Sequence, residues 1–240
     1  MIYFPIRDWR LTPKEAGLDY EDVSFESADG VKLSGWYIPA SGSKRVALLC
    51  HGNSRNISYC VRDMSMFHGL GLNVFIFDYR GYGKSEGRPS EKGTSLDAEA
   101  AWDYLERKRG VLPRDIVICG RSLGAAIAGR LAAERNPGAL VLESGFTSLT
   151  DMGRIRYPYL PVELILKYHY DLLAQVPNLR CPVLVVHSPD DQTVPYAHGL
   201  RLFRAAPKPK RFLKIHGAHN VGYYISGARY KAALKNFLVC

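Results

Sequence analysis

The chain has 240 residues, 47% of them hydrophobic and 23% charged, enough to bury a sizeable core in one α/β domain. No apolar run approaches the roughly 18 residues of a membrane span, and the charges at Arg7, Asp8 and Arg10 come too early for the apolar core of a signal peptide, so the chain reads as soluble and cytoplasmic. The formal net charge of +9 is spread along the chain, its densest cluster being "KPKR" at 208–211, with no interleaving of aromatic and basic residues. That pattern describes a basic soluble surface. It argues against a nucleic-acid binder and gives no support to a membrane surface as partner.

In chain order, the first signal is "DVSFESADGVKLSGWYIPA", which alternates polar and apolar residues on both sides of Asp29-Gly30 and predicts an antiparallel hairpin. Short unbroken apolar runs follow at 46–50, 73–77, 115–119, 139–143 and 182–187, with a weaker one at 212–216. Unbroken rather than alternating runs mean burial on both faces, hence a mostly parallel sheet covered by helices. The segments between them are helix-prone, notably 95–110, with Ala98, Ala101, Trp102 and Leu105 at helical spacing, and the small-residue stretch after Ser122 that stops at Asn136-Pro137-Gly138. The chain therefore reads as a single domain spanning 1–240: a hairpin, then about six β-α units in one sheet.

One interval exceeds what a crossover needs. Between Glu143 and Pro182, the segment "RYPYLPVELILKYHYDLLAQV" predicts a short helical cap at about 146–178, with Val162, Ile165, Leu166 and Leu172 in an apolar stripe.

The five cysteines (Cys50, Cys60, Cys119, Cys181, Cys240) are odd in number and contain no C-x-x-C. Three lie in or beside apolar runs, which fits buried free thiols in a reducing compartment and argues against a disulfide framework or a zinc site.

The chemistry centres on "VICGRSLGAAIAG", where Gly120 to Gly124 fits G-x-S-x-G. The pentapeptide alone decides little. Its position, after an apolar strand and before a small-residue helix, is the strand-turn-helix in which a serine sits exposed on a strained elbow. Glycines two residues before and after are needed because two backbones pass too closely for a Cβ. Ser122 becomes a nucleophile only if an oriented base takes its proton. His219, in "HGAHN" after the last strand, is the candidate base; His216 closes the strand and is structural. Asp190 and Asp191, just past the penultimate strand in "VVHSPDDQTVP", are candidate acids. The loop "LLCHGNSRN" leaves the backbone N–H of Asn53 free, and with the N–H of Leu123 it would form an oxyanion hole; His51 reads as structural.

With these residues assembled, the chain resembles serine hydrolases of the α/β-hydrolase fold, and within them the Bem46-like alpha/beta-hydrolase domain-containing proteins. The resemblance rests on "ADGVKLSGWYIPA" (28–40), "LLCHGNSRN" (48–56), "FDYRGYGKSEG" (77–87), "GRSLG" (120–124), "ESGFTSLTDM" (143–152), "YPYLP" (157–161), "CPVLVVHSPDDQTVP" (181–195) and "GAHN" (217–220). The family pattern H-G-x-x-D-x-x-V-P aligns on His187 to Pro195 and implies Asp191 as the acid, with Ser188 in place of the usual glycine. It further implies a short cap, no cofactor and no metal. The expected activity is hydrolysis of a small-molecule carboxylic ester of short to medium acyl chain, with Tyr157, Tyr159, Leu160 and Leu164 of the cap lining the acyl pocket. Thioester and amide cleavage need the same triad. A non-catalytic scaffold usually lacks a triad member, which this chain does not, and a haloalkane dehalogenase would need a carboxylate where Ser122 stands. The oligomeric state is not written in the sequence.

Overall fold

The computed structural model describes residues 2–238, so Cys240 lies outside the described residues. The expected hairpin forms between β1 (Glu21–Glu26) and β2 (Lys32–Ile38), turning at Gly30 with φ +79°. Six further strands follow: β3 (Val46–Cys50), β4 (Asn73–Phe77), β5 (Ile116–Arg121), β6 (Ala139–Glu143), β7 (Val183–His187) and β8 (Lys210–Lys214). They form one eight-stranded sheet in the order β8-β7-β6-β5-β3-β4-β2-β1. All pairings from β4 to β8 are parallel, and β1–β2 and β2–β4 are antiparallel.

The unbroken apolar runs mark strands buried on both faces. Leu48, Phe75, Ile118, Leu140 and Val185 face one core, with helices α2 (Glu91–Asp103), α3 (Leu123–Arg135) and α7 (Tyr196–Ala205). Their neighbours Leu49, Ile76, Val117, Val141 and Leu184 face the other, covered by α1 (Val61–His68) and α9 (Gly227–Leu238). Among the described residues no helix is long and apolar enough to cross a membrane.

Several boundaries differ from expectation. Helix α2 starts at Glu91, ahead of the helical spacing recognised from residue 95, because the Ser90 hydroxyl accepts the N–H of Gly93 at 3.0 Å and caps it. Gly93 inside the helix hid this start. A Cβ there would lie 2.5 Å from Cδ of Arg80, whose buried guanidinium pairs with Asp97 and Asp29. Strand β8 runs 210–214, two residues earlier than expected, because its parallel register with β7 begins at Lys210 opposite Val183. His216 therefore follows the strand rather than closing it; its backbone N–H donates to the Ser226 hydroxyl.

Between β6 and β7 lie three short helices, α4 (Leu149–Arg156), α5 (Val162–Ile165) and α6 (Leu172–Gln175). The expected apolar stripe is only partly formed. Val162 and Leu172 are buried, Leu166 is half-buried and Ile165 is exposed, because α5 is a single turn and presents no continuous face. Leu172 docks the segment onto α3, where a Cβ on Gly129 would lie 2.2 Å from Leu172 Cδ1.

A very close backbone packing joins β3, β5 and α3. A Cβ on Gly120 would lie 2.2 Å from the carbonyl oxygen of Gly124, and one on Gly124 would lie 2.1 Å from that of Cys50. Both obstacles are backbone and cannot rotate away. Gly124→Ala is accordingly expected to destabilise the fold by about 3 kcal/mol or more, as measured by urea unfolding; a midpoint equal to wild type would contradict the packing described.

Candidate active site

The tight passage between β5 and α3 is bridged by Ser122, held at φ +55°, ψ −118°. A non-glycine residue there is strained and persists only when its surroundings impose it. The Ser122 N–H donates to the carbonyl of Glu143 at the end of β6, and its carbonyl accepts the N–H of Ala125. The side chain is thereby lifted out of the sheet at the start of a helix, where free N–H groups and the positive end of the helix dipole lie.

Beside it runs the loop leaving β3. A Cβ on Gly52 would stand 3.9 Å from Cβ of Ser122. The Asn53 carbonyl accepts the Phe4 N–H at 2.9 Å and the Tyr82 hydroxyl at 2.7 Å, while its side-chain amide donates to the Ile2 carbonyl at 2.7 Å. These bonds hold Asn53 without using its backbone N–H, and among the described residues no acceptor engages that N–H or the N–H of Leu123. His51 is buried against Tyr79, and burial lowers its pKa to about 4. Its Nδ1 donates to the Gly52 carbonyl at 2.8 Å, as suits a neutral structural histidine.

On the far side of β5, the loop after β7 carries Asp191. Its Oδ1 accepts the N–H groups of Thr193 (2.9 Å) and Val194 (2.8 Å), and its Oδ2 accepts Nδ1–H of His219 at 2.7 Å. The carboxylate is fully buried. Burial alone would raise its pKa, but the His219 and backbone hydrogen bonds prevail and hold it below the usual carboxylate range. Asp190 does something different. It is 57% exposed and accepts the N–H of Gly217 at 3.0 Å, bracing the start of the histidine loop. His187 is buried at the end of β7, donates from Nε2 to the Val194 carbonyl at 2.9 Å and so shapes the acid-bearing loop from beneath. Burial lowers its pKa as well.

Ser122 and His219 line one open cavity of about 630 Å³, together with Asn53, Phe146, Leu149, Met152, Val194 and Tyr223. This corrects the expected acyl pocket. Tyr157, Tyr159, Leu160 and Leu164 do not line the cavity: Tyr159 is 96% and Leu164 86% exposed, and Tyr157 and Leu160 are exposed beside them. They sit on the outer turn beyond α4, whereas the inner wall is the first turn of α4 itself. Ser148 caps that helix, and Leu149 and Met152, one turn apart, face the cavity. Reading Ser148 as a cap in the sequence would have found them.

Sequence reasoning also missed what supports the elbow. Arg121, the residue before Ser122, pairs through Nη2 with Asp63 of α1 at 2.6 Å and through Nε with Glu143 of β6 at 2.7 Å. The Tyr230 hydroxyl of α9 donates to Glu143, and the ring of Tyr223, four residues after His219, stacks on the guanidinium at 4.0 Å. One side chain thus joins the elbow, two helices, the adjacent strand and the histidine loop. A small cavity of about 50 Å³ beneath it is lined in part by Cys50, Cys60 and Cys119. Burial pushes these thiols up, Cys50 to about 12, which disfavours their thiolate forms.

The family model described as serine aminopeptidase, S33, matches residues 41–166, a little over half of the chain and the half that carries Ser122. Two named relatives match over nearly all of it. WAV2, an alpha/beta hydrolase domain-containing protein of Arabidopsis thaliana, is 31% identical over 95% of this chain and 82% of its own length. Human alpha/beta hydrolase domain-containing protein 17B is 30% identical over 96% and 79%. The chain belongs to the α/β-hydrolase family. An uncharacterized protein of Mycobacterium tuberculosis, Rv2307c, is 42% identical to this hydrolase over 99% of the chain and 86% of its own length. Among solved structures, the Pyrococcus furiosus esterase Pf2001 shares the fold with a TM-score of 0.83 at 23% identity, covering 98% of each chain.

In this hydrolase the Arg121 cluster yields a clear expectation. Arg121→Met removes a cation that is only 22% exposed and strands Asp63 and Glu143. It should cost about 3–5 kcal/mol of stability at neutral pH, read from urea or thermal unfolding, whereas a loss under 1 kcal/mol would mean the cluster supports nothing.

Proposed function

We propose that the chain is a serine hydrolase of carboxylic esters, working through an acyl-enzyme on Ser122. The observation that carries this reading is the Asp191–His219 hydrogen bond at 2.7 Å on the cavity that Ser122 lines from a strained elbow. In the proposed sequence, His219 takes the proton of Ser122 Oγ as that oxygen bonds to the substrate carbonyl carbon. Asp191 keeps the Nδ1–H tautomer and stabilises the imidazolium that forms. The N–H groups of Asn53 and Leu123 receive the oxyanion, each contributing roughly 3 kcal/mol to the transition state if it acts like known donors. His219 returns the proton to the leaving alcohol, and water then repeats the sequence on the acyl-enzyme.

Two features favour an ester over the amino-terminal peptide that the family model's description suggests. A peptidase of that kind needs a free carboxylate to hold the substrate's ammonium group. Among the described residues lining the cavity the only carboxylate is Asp63, which is already engaged in an ion pair with Arg121. The apolar wall of Phe146, Leu149 and Met152, in a cavity of about 630 Å³, suits a short to medium acyl chain.

A fluorophosphonate probe tests the reading. Wild type should be labelled and Ser122→Ala should not; an unlabelled wild type or undiminished labelling of the variant refutes it. For the acid, Asp191→Asn should lower kcat by about 10³–10⁴, as loss of the orienting carboxylate does elsewhere, while Asp190→Asn should cost less than about tenfold. Steady-state kinetics showing the reverse order would assign the role to Asp190.

A further inference from the structure

The cavity is chemically two-sided, and sheet order explains why. With β3 on one side of β5 and β6 and β7 on the other, Ser122 stands between two different sets of loops. The loops after β6 and β7 contribute Phe146, Leu149, Met152 and Val194, an apolar wall. The loop after β3 contributes Ser54, Arg55 and Tyr59, immediately beyond Asn53.

The fixed charges on this cavity come from every element around it. Arg121 is shared between Asp63 and Glu143, and His219 is bound to Asp191. Arg55 is the one cation among the described lining residues that has no carboxylate partner. It is nevertheless held in place. Its guanidinium lies over the ring of Tyr59 at 4.6 Å, its carbonyl accepts the Ile6 N–H, and it pairs with Pro5 in a short parallel ladder. Its backbone is fixed at φ +69°, in the left-handed region that residues other than glycine occupy only under constraint. Tertiary contacts thus impose a strained backbone at a residue that presents an unpaired cation to the reacting serine's cavity.

We infer that Arg55 is a specificity residue, and that the preferred substrates are esters whose leaving group carries an anion, a carboxylate or a phosphate. The inference rests on the esterase reading above. The acyl chain takes the wall of Phe146, Leu149 and Met152. The leaving group points past Asn53 toward Arg55, whose planar guanidinium accepts a carboxylate or phosphate in a bidentate pair. Because the site is open to solvent, the pair is screened by salt and its contribution is moderate.

The test compares two acetyl esters that differ in one charge, 4-acetoxybenzoate and its methyl ester, and reads the ratio of their kcat/KM values. A ratio within one preparation is independent of how much protein is folded. Arg55→Gln should lower the anionic-to-neutral ratio roughly three- to tenfold, and Arg55→Lys should keep most of it. In wild type, about 0.5 M NaCl should erode the ratio in the same direction. A phenyl phosphate leaving group in place of the benzoate separates phosphate from carboxylate preference. An Arg55→Gln ratio equal to wild type, with both esters hydrolysed, would overturn this proposal alone. Hydrolysis of neither ester by wild type would overturn the esterase reading and the proposal with it.

Discussion

Everything at this site depends on two backbones touching. The carbonyl of Cys50 at the end of β3 and the first turn of α3 come so close at Gly124 that no side chain fits between them, and Gly120 admits the same helix to β5. That contact forces the chain to turn within one residue. It makes Ser122 the residue that bears the strained conformation and brings the loop after β3 alongside it. The position of the serine and that of the neighbouring Asn53 N–H are therefore consequences of one packing event. Strain, steric fit and the direction of the helix act at the same point.

Around this contact the charges divide into two layers. Behind the elbow, Arg121, Asp63, Glu143 and Tyr230 form a closed set of buried partners that locks elements together. In front, Asp191 and His219 form a pair of which one member is fully buried and the other reaches the cavity. The first layer is held together because one guanidinium is shared between two carboxylates. The second is anchored at the carboxylate by two backbone N–H groups and left free at the imidazole. An unmatched carboxylate in the same place would titrate upward with burial; here hydrogen bonds reverse that tendency.

The strands from β3 to β7 were legible in the sequence because burial on both faces leaves an unbroken apolar run. The order of elements pointed to Ser122, to His219 and to the pair Asp190 and Asp191, and only the resemblance to the family pattern favoured Asp191; the structure brings Asp191 and His219 within 2.7 Å. The remaining features were hidden for identifiable reasons. Gly93 reads as a helix breaker, and only its contact with Arg80 explains its place inside α2. The ends of β8 are set by its register with β7, which involves another part of the chain. The cap tyrosines and leucines look like pocket residues because they are apolar and close in sequence, yet a single helical turn decides which residues face inward, and Leu149 and Met152 occupy that face. Arg121 reads as a filler position in G-x-S-x-G; its partners lie 58 and 22 residues away and cannot be paired from one sequence.

The two-residue ladder between Phe4–Pro5 and Ser54–Arg55 has a consequence of its own. Among the described residues it is the shortest pairing, and it holds the loop on which Asn53 and Arg55 stand. Ile2, Phe4 and Ile6 each hydrogen-bond to Asn53 or Arg55, so the placement of the first residues and the rim of the cavity are set together.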